Sequence, residues 1–168
     1  MQILGLLSIY LFTALLLYCL SLAFKKMSLM DIFWTFGIFV GCLTIFLSNL
    51  SNTLTNTRSW IVLVLIALWS FRLGIHLLKS RIFTNGEDRR YIRLRDYLGK
   101  LYHTIFFILY LVQVLLILLF LITIENAIKY YTSYVTPFDI IGILVGLIGI
   151  IGESVSDYQL KKFKSDNK

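Results

Sequence analysis

Three stretches of this chain carry side chains that could do chemistry in an otherwise apolar setting. The first is Leu68-Trp69-Ser70-Phe71-Arg72-Leu73-Gly74-Ile75-His76-Leu77-Leu78-Lys79-Ser80-Arg81. Helical spacing sets Trp69, Arg72, His76 and Lys79 along one stripe. Arg72 falls about two turns inside an apolar run, where a charge is disfavoured by roughly 2.5–3.5 kcal/mol on insertion scales. It therefore faces a cavity or a partner, or snorkels to the headgroups with His76 at the interface; position alone leaves both open. The second stretch is Asn85-Gly86-Glu87-Asp88-Arg89-Arg90-Tyr91-Ile92-Arg93-Leu94-Arg95. Asn85-Gly86 signals a turn, and Glu87 and Asp88 suit the start of a helix carrying Arg89, Tyr91 and Arg93. Guanidinium forks match phosphate oxygens, although a solvated basic loop has the same composition. In the third stretch Gly142, Gly146 and Gly149, then Glu153, Ser156 and Asp157, share one helix face. The glycines allow close helix approach. The two acids have no Lys or Arg between them and look placed for a partner outside their helix, while Asp157 could also be solvated.

Two smaller signals accompany these. Asp31 and Trp34 lie three apart, on one side of a helix, and are followed by Gly37 and Gly41. Gln113 is the lone polar group in the middle of an apolar run and reads as an interhelical hydrogen bond. Cys19 and Cys42 both fall inside apolar runs and read as small packing groups. No cysteine and histidine spacing of the zinc-site kind occurs, and neither does a glycine-rich phosphate or dinucleotide fingerprint.

The elements that must position these groups are membrane helices. Of 168 residues, 58% are hydrophobic and 15% charged, which is not the balance of a soluble domain. A bilayer core of roughly 30 Å takes about 20 apolar helical residues to cross. Continuous rather than alternating apolar runs predict five helical spans, at about 3–24, 30–50, 59–79, 103–124 and 138–157, in an all-α polytopic bundle that forms a single membrane domain over 1–168. The first run is too long for a signal peptide and has no positive residue before it. Pro137 sits where it can start the fifth helix. Of the 16 Lys and Arg, thirteen fall in the first loop, in Lys79 at the span end with the 80–102 loop that follows it, and in the tail, against two (Arg58 and Lys129) on the opposite side. The positive-inside rule then puts the N-terminus outside and the C-terminus in the cytoplasm. The net charge of +7 follows from that topology and from anionic headgroups, and nucleic acid is not an expected partner. Asp31, Arg72, His76, the loop from Glu87 to Arg95, Glu153 and Asp157 all converge on the cytoplasmic face, as a pocket for a polar, anionic ligand would require.

At these residues the chain resembles a known family. Asp31-x-x-Trp34, Leu68-Trp69-Ser70-Phe71-Arg72-Leu73-Gly74, Gly86-Glu87-Asp88-Arg89-Arg90-Tyr91 with Leu94-Arg95, and Gly152-Glu153-x-x-x-Asp157-x-Gln159-Leu160-x-x-Phe163-Lys164 occur in the expected order. They are similar to motifs of the bacterial integral-membrane proteins in the steroid 5-alpha-reductase-like superfamily. The resemblance implies an inner-membrane enzyme that passes hydride from NADPH to a carbon–carbon double bond conjugated to a carbonyl, in a lipid-like or steroid-like substrate. It implies cofactor-binding positions at Glu153 and Asp157, and at Arg72 and Arg90 toward the cofactor phosphates. Relatives continue into an Arg-His-Pro-Asn-Tyr motif and further spans. Their absence before Lys168 implies the N-terminal part of such a reductase, with an incomplete cofactor site. Two other readings stay open: a membrane methyltransferase of the isoprenylcysteine type, and a non-catalytic membrane protein that binds lipid or a partner.

Overall fold

Inside a bilayer the backbone has no water to bond, so an apolar run of about 20 residues closes its own hydrogen bonds as a helix. The computed structural model describes residues 2–83, 87–130 and 134–166, and every regular element in it is helical. In chain order these are α1 (Gln2–Phe24), α2 (Leu29–Ser48), a single turn α3 (Leu50–Thr53), α4 (Thr57–Leu77), α5 (Arg89–Leu98), α6 (Tyr102–Lys129) and α7 (Pro137–Asp166). A π turn at Leu78–Ile82 prolongs α4, and a 3-10 turn at Gly99–Leu101 feeds α6. Five of these helical stretches are long and apolar enough to cross a membrane, and the chain is a polytopic transmembrane helix bundle. The Asn85-Gly86 turn lies outside the described residues.

The helix boundaries have local causes. Lys25 takes a positive φ of 54°, which stops α1. Asn56 caps α4 by accepting from the Arg58 amide at 3.1 Å, and Asp88 caps α5 by accepting from the Arg90 amide at 2.9 Å. Thr136 and Asp139 cap α7 reciprocally, the Thr136 amide donating to Asp139 Oδ2 at 2.8 Å and the Asp139 amide to Thr136 Oγ1 at 3.3 Å. Pro137 therefore opens the helix, as its fixed φ favours. Gly99, with φ +51°, ends α5 and lets the chain turn into α6. Helices α6 and α7 outrun the expected spans: at 28 and 30 residues they extend to about 42 and 45 Å. Their extra turns are polar, with Lys129 paired to Glu125 in α6 and with Lys161, Lys162 and Asp166 in α7, so helix continues where apolarity stops.

Helix α2 is the hub, packing on α1, α4 and α6. Glycines set its closest contacts: a Cβ at Gly37 would stand 2.9 Å from Ile117 Cδ1, and one at Gly41 would stand 2.4 Å from Leu121 Cδ1. Tyr10 donates to the Gly37 carbonyl at 2.7 Å across the α1–α2 seam, and Ser70 donates to the Thr35 carbonyl at 2.9 Å across the α2–α4 seam. Phe106, Tyr110, Ile117, Leu121 and Cys42 are fully buried at the centre, whereas Cys19 is exposed. Gln113 departs from expectation. It is half-buried but makes no side-chain hydrogen bond among the described residues.

Helix α7 stands apart from this core and packs mainly on α4, running in the same direction. Arg58 with Asp139, Leu65 with Gly146, Arg72 with Glu153 and His76 with Asp157 share one offset of 81 residues. At the far end from the expected site, Arg58 Nη2 donates to Asp139 Oδ2 at 2.8 Å while Nε lies 2.8 Å from Oδ1. The Arg58 guanidinium also stacks 4.9 Å from the Tyr130 ring centroid. Gly146 touches Leu65, but Gly142, Gly149 and Gly152 have nothing near them, so the glycine face is only partly used.

Candidate functional site

The charged residues gather at one end of the bundle as two adjoining networks. The inner one joins α4 to α7. Arg72 Nε donates to Ser154 Oγ at 3.0 Å, Nη2 donates to Asp157 Oδ2, and Nη1 stands 3.0 Å from Glu153 Oε2. This last contact is an ion pair without hydrogen-bond alignment. His76 Nδ1 lies 3.7 Å from the same Asp157 oxygen. Arg72 thus turns into the protein, and every nitrogen of its guanidinium faces α7. Two carboxylates against one arginine leave the cluster anionic on its open side, where Glu153 retains 36% of its side-chain exposure. Ser154 was not visible as a site residue. The sequence pattern pointed to Ser156, which is exposed and bonds back to the Gly152 carbonyl at 2.9 Å.

The outer network is built on Asp31, in the first turn of α2. Its Oδ1 accepts from Tyr91 Oη at 2.8 Å, while Oδ2 accepts from Arg81 Nη1 and from Arg90 Nη2, the latter at 3.3 Å. Asp88 supplies a second acid, 3.1 Å from Arg90 Nη2 and 3.5 Å from Arg81 Nε. Glu87 accepts from the Met27 amide and the Ser28 hydroxyl, closing the 80–102 loop over the start of α2. On the other side Lys26 donates to the Ile82 carbonyl. The π turn brings Arg81 round to Asp31, a use of such turns that recurs at functional sites. Asp157 is near enough to Arg81 to act on it electrostatically, so the two networks adjoin.

The four positions assigned to a cofactor by resemblance are therefore split. Arg72, Glu153 and Asp157 come together, whereas Arg90 lies in the outer network, engaged with Asp31 and Asp88 and 61% exposed. Among the described residues no cluster of His, Cys, Asp and Glu has the arrangement of a metal site. Two grooves along the helices are apolar, the first reaching Leu29 and Ile32 on either side of Asp31. One, of about 380 Å³, runs between α1 and α2 past Tyr10, Phe33 and Phe36; the other, of about 360 Å³, runs between α4 and α7 past Trp60, Leu65 and Leu147.

Asp88 gives the outer network a pH dependence. Partial burial alone would raise its carboxyl, but hydrogen bonds from the Arg90 side chain and amide, with the charges of Arg90 and Arg81, hold it below the usual carboxylate range. A depressed carboxylate stabilises the fold above its unfolded pKa of about 3.9, and that contribution is lost as pH falls through the lower folded value. Amide exchange at residues 89–92, compared with the centre of α6 as an internal reference, should accelerate selectively below about pH 4. Equal protection down to the folded pKa would remove Asp88 as the anchor.

No curated protein and no solved structure matches the chain. A family model does, over residues 7–168, under the description "Protein of unknown function (DUF1295)". With all but the first six residues inside that match, and five helices of membrane-spanning length carrying both networks, the chain belongs to the DUF1295 family.

Proposed function

We propose that this chain is part of a membrane-embedded, NADPH-dependent reductase of the steroid 5-alpha-reductase-like superfamily, acting on an enone in a lipid-like substrate. The observation that carries this reading is the Arg72–Glu153–Ser154–Asp157 cluster, half-buried between membrane-spanning helices beside the Asp31–Arg81–Arg90–Tyr91 network. Ionisable groups at such depth are costly and are kept where they serve a ligand or a pathway. The ordered motifs from Asp31 to Lys164 supply the reaction class.

The side chains fit parts of the cofactor unequally. Arg90 keeps an open flank for a phosphate, and Glu153 has exposed oxygen for a ribose hydroxyl or a carboxamide. Arg72 has no nitrogen turned away from α7, so its role is to hold Glu153 and Asp157 in position rather than to bind phosphate. NADPH, when bound, would supply the hydride. The chain's own groups would orient it, with Arg72 holding the two carboxylates in place.

The test joins this chain to the distal half of a complete reductase and titrates NADPH. Binding should appear, and Glu153→Ala or Asp157→Ala should weaken it about tenfold or more, in line with about 1.5–3 kcal/mol for a charge-assisted hydrogen bond. A chimera that does not bind sinks the reductase reading, and one indifferent to both substitutions removes the carboxylates from the site. The same reading places the protein in a bacterial inner membrane with its N-terminus periplasmic and both networks cytoplasmic, on the thirteen-to-two charge bias. Reporter fusions at residues 1 and 168 should be active as periplasmic and cytoplasmic reporters respectively. The reverse pattern would move the site to the other side.

A further inference from the structure

We infer that α5 is a lipid-reading helix, whose Arg89 and Arg93 seat the phosphate of an anionic phospholipid headgroup at the membrane surface. The inference is independent of the reductase reading. Helix α5 is too polar to enter the hydrocarbon, yet it is held beside it, by the Tyr91 hydrogen bond to Asp31 of α2 on one side and by Gly99 and α6 on the other. Its inner side is fixed: Tyr91 is buried against Phe106, and Leu94 and Leu98 pack on the core. Its outer side carries Arg89, Arg93 and Tyr97, spaced four apart and so aligned in one stripe.

That stripe is uncompensated. Arg81 and Arg90 are answered by Asp31 and Asp88, and Arg95 lies over the Tyr102 ring, 4.9 Å from its centroid. Arg89 and Arg93 meet no carboxylate among the described residues, and Asp96, the acid within α5, makes no ion pair there. Two like charges one turn apart repel until an anion comes between them, and paired guanidinium forks suit a phosphodiester. Tyr97, 87% exposed, adds an amphipathic ring of the kind that settles at headgroup depth. The chemistry points to a lipid because the stripe sits on a helix held at the bilayer surface. The opposite flank of α5 carries Arg90 and Tyr91, so a lipid seated on the stripe also steadies the Asp31 network.

The experiment reconstitutes the full chain in nanodiscs of phosphatidylcholine mixed with phosphatidylglycerol and measures, by native mass spectrometry, which lipid is retained. The wild type should retain phosphatidylglycerol preferentially, and the preference should fall as salt rises. Arg89→Gln and Arg93→Gln should each lower it roughly fivefold at low salt. A control pair on the polar end of α7, Lys161→Gln with Lys162→Gln, should lower it by much less than either arginine change, and inorganic phosphate should not displace the lipid. An unchanged preference in the double arginine variant would overturn the assignment, as would an equal loss in the lysine control. Displacement by inorganic phosphate would show a free-anion site instead and would also refute it.

Discussion

Replacing Arg72 with alanine should detach α7 from α4 at the charged end of the bundle. The guanidinium is the only cation in contact with both Glu153 and Asp157 among the described residues, and its removal leaves two carboxylates facing each other beside the hydrocarbon. Breaking a fully buried pair by deleting one partner costs about 3–5 kcal/mol. Here the acids keep 36% and 27% of their exposure, so about 2–3 kcal/mol is expected. A fall in thermal stability should accompany a broader nitroxide-pair distance distribution between Val40→Cys on α2 and Ile148→Cys on α7, measured in a Cys19→Ser background. Adding Glu153→Gln and Asp157→Asn to Arg72→Ala should restore much of the loss, because neutral amides need no counter-charge. An Arg72→Ala protein with unchanged stability and an unbroadened distance would mean that the clamp holds nothing.

The partner of Arg72 was harder to read from sequence than its inward direction. Depth in an apolar run left a polar neighbour and snorkelling both open, and Glu153 and Asp157 were legible as acids placed for a partner outside their helix. The register between the helices was not. Yet the spacing carried a trace of it: Arg58 and Arg72 are fourteen apart on α4, and Asp139 and Glu153 are fourteen apart on α7. Two parallel helices with matched charge spacing can be clasped at both ends, but nothing in one chain's sequence says which helices are parallel neighbours. Ser154 was overlooked for a related reason. Grouping the acids with Ser156 fixed the helix face about one residue off, and Arg72 approaches from the flank where Ser154 stands.

Arg90 shows a different limit. Its motif suggested a phosphate contact, but Asp31, nearly sixty residues away, takes part of its hydrogen-bonding capacity. Only the fold reveals that the π turn and the Glu87 bridge bring the loop over the N-terminus of α2. Helix ends failed predictably as well. Hydropathy marks where lipid stops, while helices α6 and α7 continue wherever i, i+4 pairs and polar side chains keep the backbone bonded. The apolar core, by contrast, was readable from the runs themselves, because every span had to be a helix.

The close seam between α2 and α4 also ties packing to the site, and it yields the second large effect. A Cβ at Gly74 would stand 2.3 Å from Phe36 Cζ and 2.6 Å from Cε2, an approach that real Cβ atoms do not make. The obstacle is an aromatic ring wedged against Phe71, whose centroid is 6.0 Å away, so it cannot yield as freely as the end of an aliphatic chain. Gly74→Ala should therefore push α4 away from α2 and cost about 1–3 kcal/mol, more than the small gain in helix propensity returns. Gly74 lies between Arg72 and His76, and Phe36 lies just over one turn beyond Asp31, so the displacement acts on both charged networks at once. Phe36→Leu should relieve the clash, and the double variant should recover most of the stability lost in Gly74→Ala, with a coupling of at least about 1 kcal/mol in the cycle. If Gly74→Ala is as stable as the wild type, or if the two substitutions simply add, the α2–α4 seam is looser than its geometry indicates. In that case it cannot be what fixes the distance between the Arg72 clamp and the Asp31 network.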